Sequence, residues 1–156
     1  MYQMKTKEPL VVEWQRPLIS RADEALAREF DVSVGSDLWK IKRCFHTEDK
    51  QVTPVYTETY FAKRLAITDN LAPENCLLNR YLKEILICRF KVVNTSLSII
   101  TADQVIHSMM QCGLYRPLLL IQQSIQDRSS MLCVQYSYVN TQECNLIYES
   151  SELTLL

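Results

Sequence analysis

Glycine is almost missing from this chain, with two residues in 156 beside five prolines, and that scarcity excludes low-complexity tracts and long flexible linkers. An apolar share of 47% in a chain of this length implies one compact domain with a sizeable core. Histidine is equally scarce. His46 and His107 are the only two, and Cys44, Cys76, Cys88, Cys112, Cys133 and Cys144 never form a Cys-x-x-Cys pair, so no metal site is expected. Met1 to Lys7 holds two lysines with no apolar run behind them, and no stretch has the length of a membrane span. The expectation is a cytoplasmic protein, with no membrane partner and with reduced, mostly buried thiols. Seventeen basic residues against eighteen acidic ones, without a dense basic cluster, make this chain alone a poor nucleic-acid binder. Phosphate loop, nucleophile elbow, zinc-protease helix and dinucleotide fingerprint are all missing, so neither a catalytic set nor a cofactor is expected.

The longest legible pattern lies between Leu38 and Phe61. Leu38 to Phe45 and Pro54 to Phe61 are rich in aromatic and β-branched residues, and the polar segment His46 to Thr53 between them reads as a turn, which gives a β-hairpin. Before it, Ser20 with Asp23 resembles a capping box that opens a helix from about Arg21 to Phe30, and Gly35 follows. Farther on, Leu77, Leu78, Tyr81, Leu82, Ile85 and Leu86 line one side of a second helix. Strands are expected at Phe90 to Val93 and Leu97 to Ile100. Thr101 with Gln104 opens a third helix bearing Val105, Ile106, Met109 and Met110, with Gly113 as its C-terminal cap. Strands Pro117 to Ile125 and Met131 to Tyr138 then enclose a polar turn. A helix feeding a hairpin thus occurs twice. Joining the two hairpins into one antiparallel sheet with helices on one face gives an α+β architecture over residues 20–156, with 1–19 as an N-terminal arm or linker.

Two charges stand among aromatics. Alternation places Arg43 beside Trp39, Ile41 and Phe45, and Glu58 beside Tyr56 and Tyr60. With a turn centred near Asp49 and Lys50, Arg43 falls opposite Tyr56 and diagonal to Glu58. The pair then reads either as a cross-strand ion pair or as a pocket floor, where Arg43 grips an anion and Glu58 accepts from a hydroxyl or amide. Gln135, Tyr136, Ser137 and Tyr138 offer the matching end of the second hairpin.

Leu38 to Arg43, Pro54 to Phe61, Cys76 to Leu82, Pro117 to Ile121 and Val134 to Ser137 together resemble the UTRA domain, the ligand-sensing half of HutC-type GntR regulators. The resemblance runs from about Ser20 to the end. It implies the chorismate lyase-like fold, a small polar or anionic metabolite as ligand, homodimerisation, and DNA contact only through a separate winged-helix domain not found in this chain. By resemblance the ligand-binding residues are Arg43, Glu58, Tyr60, Gln135 and Ser137. Phe45 stands where the family often has a second arginine, which weighs against a strong phosphate site, and Gln135 stands where a glutamate is usual, which implies a different or weaker preference for hydroxyls and amines. Chorismate pyruvate-lyase shares the fold and is the alternative. Its pattern wants an arginine near Thr59 and a glutamate near Gln135, and neither is present. A degenerate domain that only dimerises is a third reading.

Overall fold

In the computed structural model, described for residues 2–5, 8–67, 76–128 and 130–148, the aromatic and β-branched runs build antiparallel strands. Among the described residues, strand β1 (Tyr2–Lys5) pairs only with β9 (Asn145–Tyr148), as a small ribbon. The other seven form one sheet: β2 (Leu10–Trp14), β3 (Leu18–Arg21), β4 (Asp37–Thr47), β5 (Val55–Phe61), β6 (Lys91–Thr101), β7 (Pro117–Gln126) and β8 (Met131–Val139). Their order is β2-β4-β5-β8-β7-β6, with β3 paired to the other half of β4. The two hairpins therefore meet along β5 and β8, at the middle of the sheet. Within the stretch 1–19, expected as an arm or linker, β2 and the start of β3 lie in the sheet, and Val12 and Trp14 are buried in its core.

The duplication read from the sequence is present in the backbone. Helices α1 (Glu24–Phe30) and α3 (Gln104–Met110) each precede a hairpin, and each ends on a left-handed residue, Asp31 or Gln111. Ala22 N–H donates to Ser36 and Gly35 N–H to Ala22 (both 2.8 Å); Ala102 N–H donates to Arg116 and Tyr115 N–H to Ala102 (both 2.9 Å). The same loop is built twice. Its caps differ from the expected ones, since the side chains of Asp23 and Asp103 accept from Leu26 N–H and Ile106 N–H at 2.9 Å. Asp23 and Asp103, not Ser20 and Thr101, stand where a side-chain oxygen meets the free amides of the first turn. Gln111 takes the left-handed C-cap expected of Gly113.

Two further expectations change. The separate strands around Asn94 to Ser96 are one strand, β6, which absorbs its irregularity as a register shift between Val92 and Asn94. The middle helix is short: α2 (Leu78–Arg80) runs straight into a π-helical turn at Tyr81–Ile85. The helices do not share one face, either. Leu78, Tyr81 and Leu82 pack with Ile41, Phe45, Phe61 and Ile121 on one side of the sheet. Leu26 and Ala27 of α1 pack with Leu38 and Val134 on the other, as do Ile106 and Met110 of α3 with Tyr56 and Leu118. All six cysteines are free: Cys76, Cys112, Cys133 and Cys144 are buried, and Cys44 and Cys88 are half-buried.

Candidate functional site

Strand register decides which side chains meet. Arg43 lies opposite Thr57, and Glu58 lies opposite Lys42. Directly opposed residues share a face, and successive residues alternate, so Arg43 and Glu58 stand on opposite faces of the sheet. The expected diagonal between them does not exist, as ion pair or as common pocket floor. A pairing one residue away from the expected one is enough, because a one-residue slip turns every side chain of the second arm over.

On the face covered by α2, a polar cluster sits within the apolar layer. Arg43, Thr57 and Ser137 occupy one cross-strand row, and Thr59, Gln135 and Gln123 the next. All six are at least 99% buried. Arg43 reaches over β5 to donate to Gln135 Oε1 at 2.6 Å, and Thr59 Oγ1 donates to the same oxygen at 3.0 Å. The guanidinium lies 4.9 Å from the Trp14 ring centroid and 5.4 Å from that of Phe45, near enough for cation–π attraction. Burial pushes Arg43 down to about 9, which leaves it cationic at neutral pH. Thr57 Oγ1, Ser137 Oγ and Gln123 Nε2 are buried with no hydrogen-bond partner among the described residues. A buried polar atom without a partner carries a desolvation cost that a bound molecule can offset, so such a cluster is equipped to hold a small ligand.

The opposite face carries Glu58 among tyrosines. Tyr56 O–H donates to Glu58 Oε1 at 2.7 Å, Tyr60 O–H to Oε2 at 3.4 Å, and Lys40 Nζ lies 3.2 Å from Oε2. Tyr56 stacks on Tyr138 and Tyr60 meets Tyr136 edge-on, with centroids 5.8 and 5.9 Å apart. Burial, with the Glu58 charge adding to it, raises the Tyr56 hydroxyl well above its ordinary range, so it serves as a donor. Glu58 is thus satisfied by neighbours of its own face. Arg43, Gln135 and Ser137 come together as expected; Glu58 and Tyr60 form a second group across the sheet. Thr57, Thr59, Gln123 and Trp14 were not among the ligand-binding residues expected from the sequence. Gln123, which strand alternation puts on the same face as Ile121 and Ile125, was the visible signal for one of them.

Among the described residues no group of three or more His, Cys, Asp or Glu is placed to hold a metal ion, and no helix is long and apolar enough to cross a membrane. No curated protein matches the sequence. The UTRA domain family matches residues 16–143. The chain belongs to the UTRA family. Solved structures share its fold at low identity. The ligand-binding domain of a protein assigned to the GntR-family transcriptional regulators of Bordetella bronchiseptica superposes with a TM-score of 0.81 at 14% identity, over 96% of each chain. A transcriptional regulator structure from Streptomyces coelicolor gives 0.74 at 15% identity, over 96% of this chain and 99% of that one. The effector domain of PhnF from Mycobacterium smegmatis gives 0.66 at 14% identity, over 90% and 83%. The sheet with its three helices is the UTRA, chorismate lyase-like α+β fold.

Proposed function

We propose that this UTRA domain is the effector-binding module of a cytoplasmic GntR/HutC-type transcription regulator, and that its effector docks on the α2-covered face at Arg43, Gln135 and Ser137. The observation that carries the reading is the buried cluster of one guanidinium and five neutral hydrogen-bonding side chains in an otherwise apolar layer. Arg43 supplies the planar fork that suits a carboxylate or another small anion. Phe45, fully buried on the same face, occupies the place of a second cation, which favours a singly charged group over a phosphate ester. Thr57, Thr59, Ser137 and Gln123 supply hydroxyl and amide contacts to the rest of the molecule. The cluster spans β4 to β7 in its strands but only two residue rows, about 7 Å along them, a footprint for a small metabolite. Glu58 and Tyr60, on the other face, shape the packing of the sheet between α1 and α3. The domain works as a homodimer, and the effector acts by binding one arrangement of the pair better than another, shifting DNA-binding domains attached to it.

The test is a thermal-shift screen against small hydroxylated carboxylates, amino-acid derivatives and sugar phosphates, with chorismate included and pyruvate release assayed in parallel. A carboxylate that raises Tm in the wild type but not in Arg43→Met supports the reading, because a ligand bound only to the folded state stabilises it. Pyruvate release, or a ligand whose shift survives Arg43→Met, overturns it.

A further inference from the structure

Beyond the π-helical turn the chain crosses to β6 through Ile87, Cys88, Arg89 and Phe90, and passes beside the turn that joins β7 to β8. An open cleft of about 550 Å³ separates the two segments, lined by Ile87 and Arg89 on one side and by Asp127, Arg128 and Ser130 on the other. A recess of about 210 Å³ adjoins it, shares Arg89, Asp127 and Arg128, and adds Phe90 and Lys91. Lys91 opens β6 opposite Gln126, so strand register holds it beside the same turn.

The charge there is one-sided. Arg89, Lys91 and Arg128 are exposed and form no ion pair among the described residues. Among those residues the one carboxylate lining either space is Asp127, and it is already engaged. Its Oδ2 accepts from Arg64 at 3.2 Å, and its Oδ1 accepts from the N–H and Oγ of Ser130 at 3.2 and 3.0 Å. Three further cations gathered on two facing segments, in a chain of net charge −1, repel one another unless an anion lies between them. Ile87 adds a second sign of use. It holds a left-handed φ of 52° while 78% exposed, in a conformation that strains a β-branched residue and that glycine usually fills where a chain leaves a helical turn. Strain of this kind persists at ligand clamps, and here it sets an apolar lip on a cationic cleft.

We propose that this cleft is a second ligand site, separate from the buried cluster, for a small organic polyphosphate. Arg89, Arg128 and Lys91 take the phosphates, and Ile87 takes the organic part. Guanidinium forks match phosphate oxygens two at a time, and the ammonium of Lys91 adds a point charge beside them. Charge number separates the two sites. The buried cluster offers one guanidinium among neutral groups and suits a single negative charge, whereas three unpaired cations call for a group carrying several. Size agrees, since small-molecule sites span about 300–1,000 Å³. A nucleic-acid backbone is the poorer occupant, because these cations converge on one cleft and do not form the stripe that a long polyanion requires. No residue is shared with the Arg43 cluster, so the proposal stands or falls independently of where the effector docks.

Isothermal titration calorimetry of the full chain at low salt tests the proposal, with ATP, inorganic tripolyphosphate and a short mixed-sequence DNA duplex as probes. ATP is expected to bind, and tripolyphosphate to bind more weakly for want of an organic part. Arg89→Gln and Arg128→Gln should each raise the Kd for ATP at least tenfold without lowering Tm. Ile87→Gly should raise Tm by relieving strain, weaken ATP and leave tripolyphosphate unchanged, which separates a lost contact from a lost fold. Arg28→Gln, an exposed arginine of α1 on the other side of the sheet, is the control and should change neither Kd. Silence with both ATP and tripolyphosphate, or an ATP affinity that survives Arg89→Gln and Arg128→Gln, overturns the site. A duplex that binds more tightly than ATP overturns the small-molecule class, and an ATP affinity untouched by Ile87→Gly overturns the organic subsite.

Discussion

Replacing Gln135 with leucine removes the single oxygen on which the buried cluster converges. That oxygen accepts from Arg43 at 2.6 Å and from Thr59 at 3.0 Å, in a side chain with no solvent exposure to fall back on. A hydrogen bond to a charged group contributes about 1.5–3 kcal/mol and a neutral one about 0.5–1.5 kcal/mol, and buried donors left behind have no water to turn to. Leucine is close to glutamine in volume, so little cavity cost is added. The expected loss is about 2–4 kcal/mol, a large fraction of a stability on the order of 5–15 kcal/mol. Urea unfolding followed by circular dichroism at neutral pH reads it as a lower midpoint at unchanged slope. Gln135→Glu keeps an acceptor in place and should lose less. Thr59→Val should cost about 1 kcal/mol in the wild type and much less in the Gln135→Leu background, where its bond is already gone, so the two changes are non-additive. A loss under about 0.5 kcal/mol for Gln135→Leu, or strict additivity of the pair, would refute the account of the cluster as a shared network.

Glu58→Gln should leave the effector midpoint unchanged, because Glu58 faces away from Arg43, while lowering stability by about 1 kcal/mol as Lys40 and Tyr56 lose a charged acceptor; a binding titration and a melt check both halves. Asp23→Ala and Asp103→Ala should each cost about 1 kcal/mol and add when combined, since the two caps do the same task at distant ends of α1 and α3; denaturant midpoints of the two single variants and the double variant decide it. The hydrogen bond from His46, followed by that from Lys50, holds the Glu13 carboxyl below its ordinary range. The unfolded chain then binds that proton more tightly than the folded one, so the contribution is complete above the ordinary glutamate pKa, about 4.3, and is lost as pH falls through the lowered folded value. Glu13→Gln should flatten that acid limb of a Tm-against-pH profile, and because the side chain is half exposed, added salt should shrink the difference.

Hairpins, the duplicated unit and the α+β class were legible because they rest on local physics. Alternation, β-branched content and turn chemistry act within a few residues, and the two hairpins, Leu38 to Phe61 and Pro117 to Tyr138, carry them strongly. Asp23 and Asp103 were within reach of the same reasoning, yet Ser20 and Thr101 matched the capping pattern as well, and only the helix start chose between them. Family resemblance picked out Arg43, Gln135 and Ser137, which the sheet does bring onto one face.

Alternation along each strand is written in the local sequence, whereas the alignment of strands that are far apart in the chain is set only when the sheet assembles. Arg43 and Glu58 parted because one residue of register separates Thr57 from Tyr56 as the neighbour of Arg43, and the turn between Thr47 and Val55 does not announce that choice. Gln135 met Arg43, although the two are 92 positions apart in the chain, because β5 and β8 pair at the centre of the sheet. The short α2, followed by its π-helical turn, took the face opposite α1 and α3 for a similar reason: its apolar residues suit either side, and the layer of Ile41, Phe45, Phe61 and Ile121 needed cover. Local patterns are set by the backbone and its nearest side chains, while faces and partners follow from burying whole surfaces together, a constraint that no single stretch of the chain contains.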